Sequence, residues 1–155
     1  HEPWGTYGLT LNHKHLPEMA KYSRLGAKPI FQPAVASFAQ GMVVSVPIHY
    51  RWLKEGTTGE DIHEALSKHY DGCNFVKVMP MGMAKVQEAG LLERDAFLAP
   101  DSLANTNQME LFVFPNDEDQ QVLLCARLDN LGKGASGAAV QNLNIALGLD
   151  ETTGL

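Results

Sequence analysis

Two histidines near the start of the chain have a spacing that suits chemistry. His13 and His15 flank Lys14 in the stretch NHKHLPEM, and Glu18 follows them. In an extended backbone, residues two apart point to the same side, so both imidazoles would reach one ligand. The spacing leaves three interpretations open: a solvated loop, a metal clamp, and general acid–base catalysis.

The rest of the sequence argues against a metal clamp but is compatible with acid–base catalysis. Zinc normally takes three or four protein ligands, and the sequence has no further Cys or His cluster to supply them. We therefore expect no metal site. General acid–base catalysis needs only one positioned imidazole whose pKa lies near the working pH.

A glycine-rich stretch near the other end, NLGKGASGAAVQN, is the second candidate for chemistry. Gly132, Gly134 and Gly137 would let the backbone approach a ligand closely. Ser136 and the free N–H groups of a following helix would favour an anion or a cofactor. The spacing matches neither a nucleotide-hydrolase phosphate loop nor the dinucleotide fingerprint. A flexible loop that leads into a helix is the alternative, and the residues alone favour it.

Composition limits the class of protein. The 155 residues suit one domain of ordinary size, and 45% hydrophobic with 19% charged residues is typical of a globular protein. A net charge of −6 argues against a general nucleic-acid binder. Because no run of 18 apolar residues occurs, we expect no membrane-spanning helix.

The cysteines indicate a reducing compartment. Cys73 and Cys125 are far apart and have no histidine beside them, so both are better explained as packing residues than as nucleophiles. Two cysteines do not make a disulfide scaffold, and we expect a reduced, cytoplasmic protein. The chain starts with His1 rather than Met, which suggests a processed or excised piece.

Hydrophobic periodicity and turn residues predict eight elements. In chain order they are a helix over 16–26, strands over 28–35 and 41–53, a helix over 59–70, strands over 74–80, 109–115 and 119–129, and a helix over 137–147. Pro47 indicates an edge strand or a bulge. Helices and strands do not alternate strictly, so we predict an α+β fold with a mainly antiparallel or mixed sheet. The last helix is apolar over most of its surface and should be buried.

Three stretches together resemble a known family. They are YGLTLNHKHLPEM, PIFQPAVASFAQGMVVSVPI and DNLGKGASGAAVQNLNIALGLDETTGL. They look like the C-terminal half of N-acetyl-gamma-glutamyl-phosphate reductase, the NADPH-dependent enzyme of arginine biosynthesis, in its shorter, second form. The resemblance runs from Tyr7 to Leu155 and is weakest over 81–107.

The resemblance implies two domains with different functions. The family joins a dinucleotide-binding domain to an α+β substrate and dimerisation domain like that of glyceraldehyde-3-phosphate dehydrogenase, with helices on one face of the sheet. Here residues 1–129 would be the substrate and dimerisation domain, and 130–155 a terminal segment whose helix packs on the nucleotide domain. The protein would form a dimer or tetramer.

The sequence departs from the family at its nucleophile. The family's cysteine lies in an N-P-G-C-Y-P-T motif, and neither this motif nor the glycine fingerprint of the nucleotide domain is present. We therefore expect the 155-residue chain to be inactive alone. A non-catalytic binding or assembly module of the same fold, or a related semialdehyde dehydrogenase, are the alternatives.

The resemblance also assigns roles to individual residues. His15 would be the catalytic acid–base, and substrate would contact Tyr7, His13 and Lys14. Contacts to NADPH or NADP would come from four residues of the glycine-rich stretch and the helix after it. These are Gly134, Ser136, Gln141 and Asn142. The last two would hold the nicotinamide carboxamide.

Overall fold

The computed structural model describes residues 3–155, which belong to two compact units, 1–39 and 40–155. The first unit contains β1 (Trp4–Thr6), α1 (Leu16–Ser23) and β2 (Ala34–Ala36), and β1 pairs antiparallel with β2. Pro17 lies in the first turn of α1, where a missing N–H costs nothing. The predicted boundary near residue 130 stays a prediction, and residues 1 and 2 of that predicted domain lie outside the described residues.

The second unit is built on a four-stranded sheet with the order β3-β6-β5-β4. Its strands are β3 (Met42–His49), β4 (Val76–Val78), β5 (Met109–Asn116) and β6 (Gln121–Leu128). Strand β4 runs parallel to β5, and the other pairs are antiparallel. The α+β class and the mixed sheet are therefore confirmed, as is the hairpin between β5 and β6.

Three helices accompany this sheet: α2 (Gly59–His69), α3 (Met83–Glu88) and α4 (Gly137–Ala146). Helix α2 begins at a capping box, in which Thr58 and Asp61 each bond the other's backbone N–H. A π-helical turn, Gly132–Ser136, leads directly into α4. Among the described residues, no helix is long and apolar enough to cross a bilayer.

The core lies on both faces of the sheet. Phe112 and Val113 are adjacent on β5, so their side chains point to opposite faces, and both are fully buried. Val113 packs with Tyr50 and with residues of α2, whereas Phe112 packs with Val86 of α3. The helices thus cover two faces, and the expectation of a single covered face is wrong because β5 is apolar on both sides.

The edge position predicted from Pro47 is confirmed. Strand β3 lies at one end of the strand order, so Pro47 needs a partner for its backbone on one side only.

The strand predicted over 28–35 is mostly absent. Only Ala34 to Ala36 form a strand in this region. Pro29 and Pro33 lack the N–H that a ladder needs, which outweighs the apolar residues between them.

Helix α4 forms where it was predicted, but its polar side is buried instead of its apolar side. Its polar Asn144 is buried and Gln141 is partly buried, while Val140, Leu143 and Ile145 are exposed. The apolar side of the helix is thus exposed in the described chain, and its predicted packing on a further domain stays a prediction. The buried side is polar because Gln141 donates to Glu151, and Asn144 to the carbonyls of Glu151 and Thr153.

Candidate functional site

The predicted site residues fall into two groups, one in each compact unit. Tyr7, His13, Lys14 and His15 lie together in the first unit, around the start of α1. The residues predicted to contact the cofactor lie in the second unit, in the π-helical turn and α4. Each group is described by itself.

His13 is the centre of an aromatic cluster. Its ring centroid lies 4.8 Å from that of His15, 5.0 Å from Phe31 and 5.9 Å from Tyr7, with every pair edge to face. The His13 Nδ1 atom accepts a hydrogen bond from the backbone N–H of His15 at 3.3 Å. The structure therefore brings Tyr7, His13 and His15 together, and their roles stay predictions.

His15 sits at the N-cap of α1 with its side chain exposed. Its backbone is in the right-handed helical region (φ −82°, ψ −12°), as a residue that leads directly into α1 requires. Its carbonyl accepts from Met19, which ties the residue to the first helical turn. Within residues 3–155, its ring nitrogens make no hydrogen bond to protein, so the imidazole is free to exchange a proton with a ligand.

Lys14 is exposed and has no acidic partner among the described residues. Tyr7 is 46% exposed, and its backbone is fixed by a bond from its N–H to the Pro33 carbonyl. Gly8 has a positive φ (67°) that carries the chain from Tyr7 towards the histidines. Both polar side chains are thus accessible to a ligand, and Tyr7 lies in the same aromatic cluster as His15.

The π-helical turn is held by bonds that span five residues. Gly134 N–H donates to the Asp129 carbonyl and Ser136 N–H to the Leu131 carbonyl, both at 2.9 Å. The Ser136 hydroxyl also donates to the Leu131 carbonyl. A Cβ at Gly132 would overlap the Thr106 carbonyl, so a side chain does not fit there. π-helical turns are frequent at functional sites.

Gln141 is at the centre of a polar network. Its Oε1 accepts from Lys133 Nζ at 2.7 Å and Asn107 Nδ2 at 3.1 Å, and its Nε2 donates to Glu151 at 2.9 Å. Glu151 also accepts from Asn74 Nδ2 at 2.6 Å. Hydrogen bonds from Gln141 and Asn74 lower the pKa of Glu151, and partial burial lowers the pKa of Lys133. The Gln141 amide is thus committed to partners within the protein.

Asn142 has the opposite environment. Its side chain is exposed, and its Nδ2 donates back to the Ala138 carbonyl one helical turn earlier. The Oδ1 atom makes no protein hydrogen bond within the described residues, so it is available as an acceptor. Of the two predicted carboxamide contacts, Asn142 thus has a free acceptor and Gln141 does not, and both contacts stay predictions.

Sequence reasoning missed three groups that shape these sites. Phe31, which completes the histidine cluster, lies in the stretch that was predicted as a strand. Glu151 and Asn74, which complete the Gln141 network, are 77 residues apart, so no local pattern joins them. Asp129, which is 1% exposed, anchors the π-helical turn.

Asp129 is buried but fully bonded. Its carboxylate accepts from the N–H groups of Leu131 and Asn105 and from Gln40 Nε2, at 2.7 to 3.0 Å. Burial would raise its pKa, but the backbone hydrogen bonds outweigh this effect and the pKa of Asp129 is lowered. The sequence signal for this anchor was the pair Asp129 and Asn130 just before the glycines, because Asp and Asn side chains often bond nearby backbone N–H groups.

Neither cysteine is placed as a nucleophile. Both are free, Cys73 being exposed and Cys125 buried. Burial raises the pKa of the Cys125 thiol, which lies 3.6 Å from the Ser45 hydroxyl. Within residues 3–155, no three His, Cys, Asp or Glu side chains are grouped so that they could hold a metal ion.

Comparison with known proteins identifies the family to which the chain belongs. A family model described as "Semialdehyde dehydrogenase, dimerisation domain" matches residues 1–130. N-acetyl-gamma-glutamyl-phosphate reductase 2 of Nostoc sp. is 48% identical over 153 residues, which is 99% of this chain and 46% of the relative. The reductase of Trichormus variabilis gives the same figures. That of Mesorhizobium japonicum is 46% identical over 92% of this chain and 44% of its own length.

The chain thus spans about half the length of the curated relatives it matches. The family match covers the histidine cluster and the whole sheet, and the similarity to the reductases continues through α4. The chain belongs to the semialdehyde dehydrogenase dimerisation-domain family and is homologous to a part of the N-acetyl-gamma-glutamyl-phosphate reductases.

Proposed function

We propose that the chain is the substrate and dimerisation part of an NADPH-dependent reductase that converts N-acetyl-glutamyl phosphate to the semialdehyde in arginine biosynthesis. The observation that carries this proposal is 48% identity over 99% of the chain with a protein of that name. The histidine pair at the start of α1, of which His15 is exposed, supports it, because an acyl-phosphate reduction needs a proton donor and acceptor beside the reacting carbonyl.

His15 is the acid–base group in this proposal. Its imidazole is exposed and, within the described residues, unbonded, so it can give a proton to the carbonyl oxygen and take one back. Its backbone is held by α1, so the ring projects from a fixed point. A catalytic imidazole of this kind contributes about 10²- to 10⁴-fold in rate.

Tyr7, His13 and Lys14 are the proposed substrate contacts. Tyr7 and His13 form a wall beside His15, and each can donate a hydrogen bond to a substrate oxygen. Lys14 carries a positive charge without an acidic partner among the described residues, which suits a phosphate or a carboxylate.

The second unit has residues that fit part of a nicotinamide cofactor, which when bound supplies the hydride. Asn142 Oδ1 is free, among the described residues, to accept from a carboxamide, and exposed Ser136 and Gly134 offer a surface without bulky side chains. Gln141 stays a proposed carboxamide contact through its second Nε2 hydrogen, because its Oε1 already accepts from Lys133 and Asn107 and its first Nε2 hydrogen is donated to Glu151. These bonds also hold α4 in place.

The nucleophile and the nucleotide fold belong to another part of the reductase in this proposal. Neither Cys73 nor Cys125 lies beside the histidines in sequence, and Cys125 is buried within the sheet. Assembly as a homo-oligomer and a cytoplasmic location complete the proposal. Two free cysteines agree with a reducing compartment.

The test is to join the chain to the nucleotide-binding half of a curated relative and to assay phosphate-dependent oxidation of the semialdehyde. We expect turnover, with kcat about 10²- to 10⁴-fold lower in His15→Ala. Lys21→Ala, an exposed change in α1, is the control. A loss below about tenfold in His15→Ala would contradict the acid–base role, and absence of turnover with a folded fusion would favour a non-catalytic module.

A further inference from the structure

The turn that leads into α1 is closed by a histidine side chain in a way that usually requires Asn or Asp. Residues 13–16 form a turn in which Leu16 N–H donates to the His13 carbonyl at 3.1 Å. His15 occupies its third position, with the φ and ψ of a type I turn. The first position of such turns favours Asp, Asn or Ser, whose side-chain oxygen accepts from the N–H two residues on.

His13 makes the same contact with a ring nitrogen. Its Nδ1 is bonded to Cγ, as Oδ1 is in Asn, and it accepts from the His15 backbone N–H at 3.3 Å. Because an acceptor nitrogen carries no hydrogen, this bond selects the neutral tautomer with the proton on Nε2. The ring is further packed edge to face against Phe31 and His15.

We propose that His13 is a positioning residue for His15: its Nδ1, by accepting the His15 backbone N–H, fixes the turn from which the His15 imidazole projects. This inference rests on the proposed acid–base role of His15. It assigns the two histidines different tasks, one to transfer a proton and the other to hold the first in register with α1. It also leaves the Nε2–H of His13 as a neutral donor beside His15.

The hydrogen bond can be tested on the 155-residue chain without any assay of activity. In a ¹⁵N-labelled sample at a pH where imidazoles are neutral, we expect a scalar coupling across the bond between the His15 amide nitrogen and His13 Nδ1. Absence of this coupling, or a proton on Nδ1, would overturn the proposal. This measurement decides the geometry even if the proposed reaction is wrong.

The functional consequence is tested with two amides of different reach in the fused reductase. His13→Asn keeps an acceptor at the Nδ1 position, whereas His13→Gln moves the amide one methylene further out. We expect kcat of His13→Gln to be about 10- to 100-fold below wild type, because small misplacements of a catalytic group cost rate on this scale. We expect His13→Asn to exceed His13→Gln in kcat about tenfold, with equal KM for NADPH.

One control and two further results distinguish the possible explanations. Amide spectra of both variants must match wild type outside the first unit, so that a folding defect is recognised. Equal losses of kcat in the two variants would overturn the positioning role. A fused protein that turns over equally well with His15→Ala would overturn the acid–base role of His15, on which the positioning role rests, while the coupling measured on the chain would stand.

Discussion

Hydrogen-bond partners decide what a polar side chain is free to do. His15 and Gln141 were both assigned to the site from sequence, yet their environments differ. The His15 ring is exposed and has no protein hydrogen bond within residues 3–155, whereas the Gln141 amide is used by three partners. An atom whose hydrogen bonds are already made within the protein can help to shape a ligand site, but that atom cannot contact the ligand at the same time.

Tyr50 gives a prediction at this scale. Its hydroxyl donates to Asp117 at 2.5 Å, and Asp117 also accepts from Gly59 N–H. Tyr50→Phe should destabilise the chain by about 1 kcal/mol near neutral pH, the net contribution of one hydrogen bond. Urea unfolding followed by circular dichroism measures this difference.

The pH dependence of the same variant has a definite sign. Burial, followed by the hydrogen bond to Asp117, raises the pKa of Tyr50 above its ordinary value of 10.0. Above about pH 10 the unfolded chain loses this proton while the folded chain keeps it, so the stability of wild type falls as pH rises. Tyr50→Phe lacks this effect, and the gap between the two proteins should shrink above that pH. A gap that widens would contradict the raised pKa.

The buried ion pair between Arg127 and Glu110 gives a second prediction. Arg127 is 3% exposed and donates through Nε and Nη2 to Glu110, and through Nη1 to the Leu91 carbonyl. Glu110→Gln would leave a buried guanidinium without its counter-charge and should cost about 3 kcal/mol. The double change Glu110→Leu with Arg127→Met should cost less than the sum of the single changes, which a double-mutant cycle measures. Strict additivity would show that the pair is not coupled.

At the residue scale, the sequence indicated the histidine pair but not the polar network. The spacing argument assumed an extended backbone, whereas the structure brings the rings of His13 and His15 to 4.8 Å through a turn. Gln141, Glu151 and Asn74 meet only because the chain folds back, and no spacing rule records that. The free or bonded state of a side chain depends on such distant partners.

At the scale of elements, helix α2 is fixed by a glycine at its first position. A Cβ on Gly59 would overlap the Pro115 ring on β5, and Gly59 N–H donates to Asp117 in the hairpin turn. In an isolated helix, Gly→Ala stabilises by about 1 kcal/mol. Here Gly59→Ala should destabilise by about 1–3 kcal/mol, because the helix must move away from the sheet.

Gly26→Ala is the matched control, because Gly26 has open space around its Cα and no positive φ. It should change the free energy of unfolding by less than about 0.5 kcal/mol. Thermal or urea unfolding of the two variants side by side gives the comparison. A Gly59→Ala chain as stable as wild type would mean that the contact with Pro115 relaxes without cost.

Elements with strong local signals were predictable, and elements that depend on packing were not. Thr58 with its capping box, and the polar turn between β5 and β6, are local features, and α2 and the hairpin formed as expected. The stretch 28–35 has strand-like residues but no continuous partner for its backbone, and Pro29 and Pro33 limit it further. For α4 the helix was predictable, but which side faces inward was decided by Gln141 and Asn144.

At the scale of the whole molecule, the chain has the acid–base candidate without the proposed nucleophile. Cys125 is buried and its thiol pKa is raised, and Cys73 lacks a neighbouring histidine in sequence. We therefore expect the purified 155-residue chain to give no NADPH-dependent turnover of the acyl phosphate. Absorbance of NADPH with the fused reductase as positive control measures this. Turnover by the chain alone would refute the proposal that the nucleophile and the nucleotide fold lie in another part of the reductase.

The outward face of α4 gives the last prediction. Val140, Leu143 and Leu147 are spaced three or four residues apart, so they share one side of the helix, and all three are exposed. Gln141 and Asn144 on the other side of the helix bond to the terminal segment at Glu151 and Thr153, and the apolar stripe is left exposed. A stripe of this kind favours association, and the chain belongs to a dimerisation-domain family.

We expect the mass measured by sedimentation equilibrium to rise with concentration from 17.0 kDa towards twice that value. Leu143→Glu should weaken this association about tenfold or more, because it places a charge in the centre of the stripe. Asn142→Glu adds the same charge at an exposed position beside the stripe and should have little effect. Equal weakening by both variants would assign the association to net charge, and a chain that stays at 17.0 kDa would leave the stripe to a partner other than a second copy.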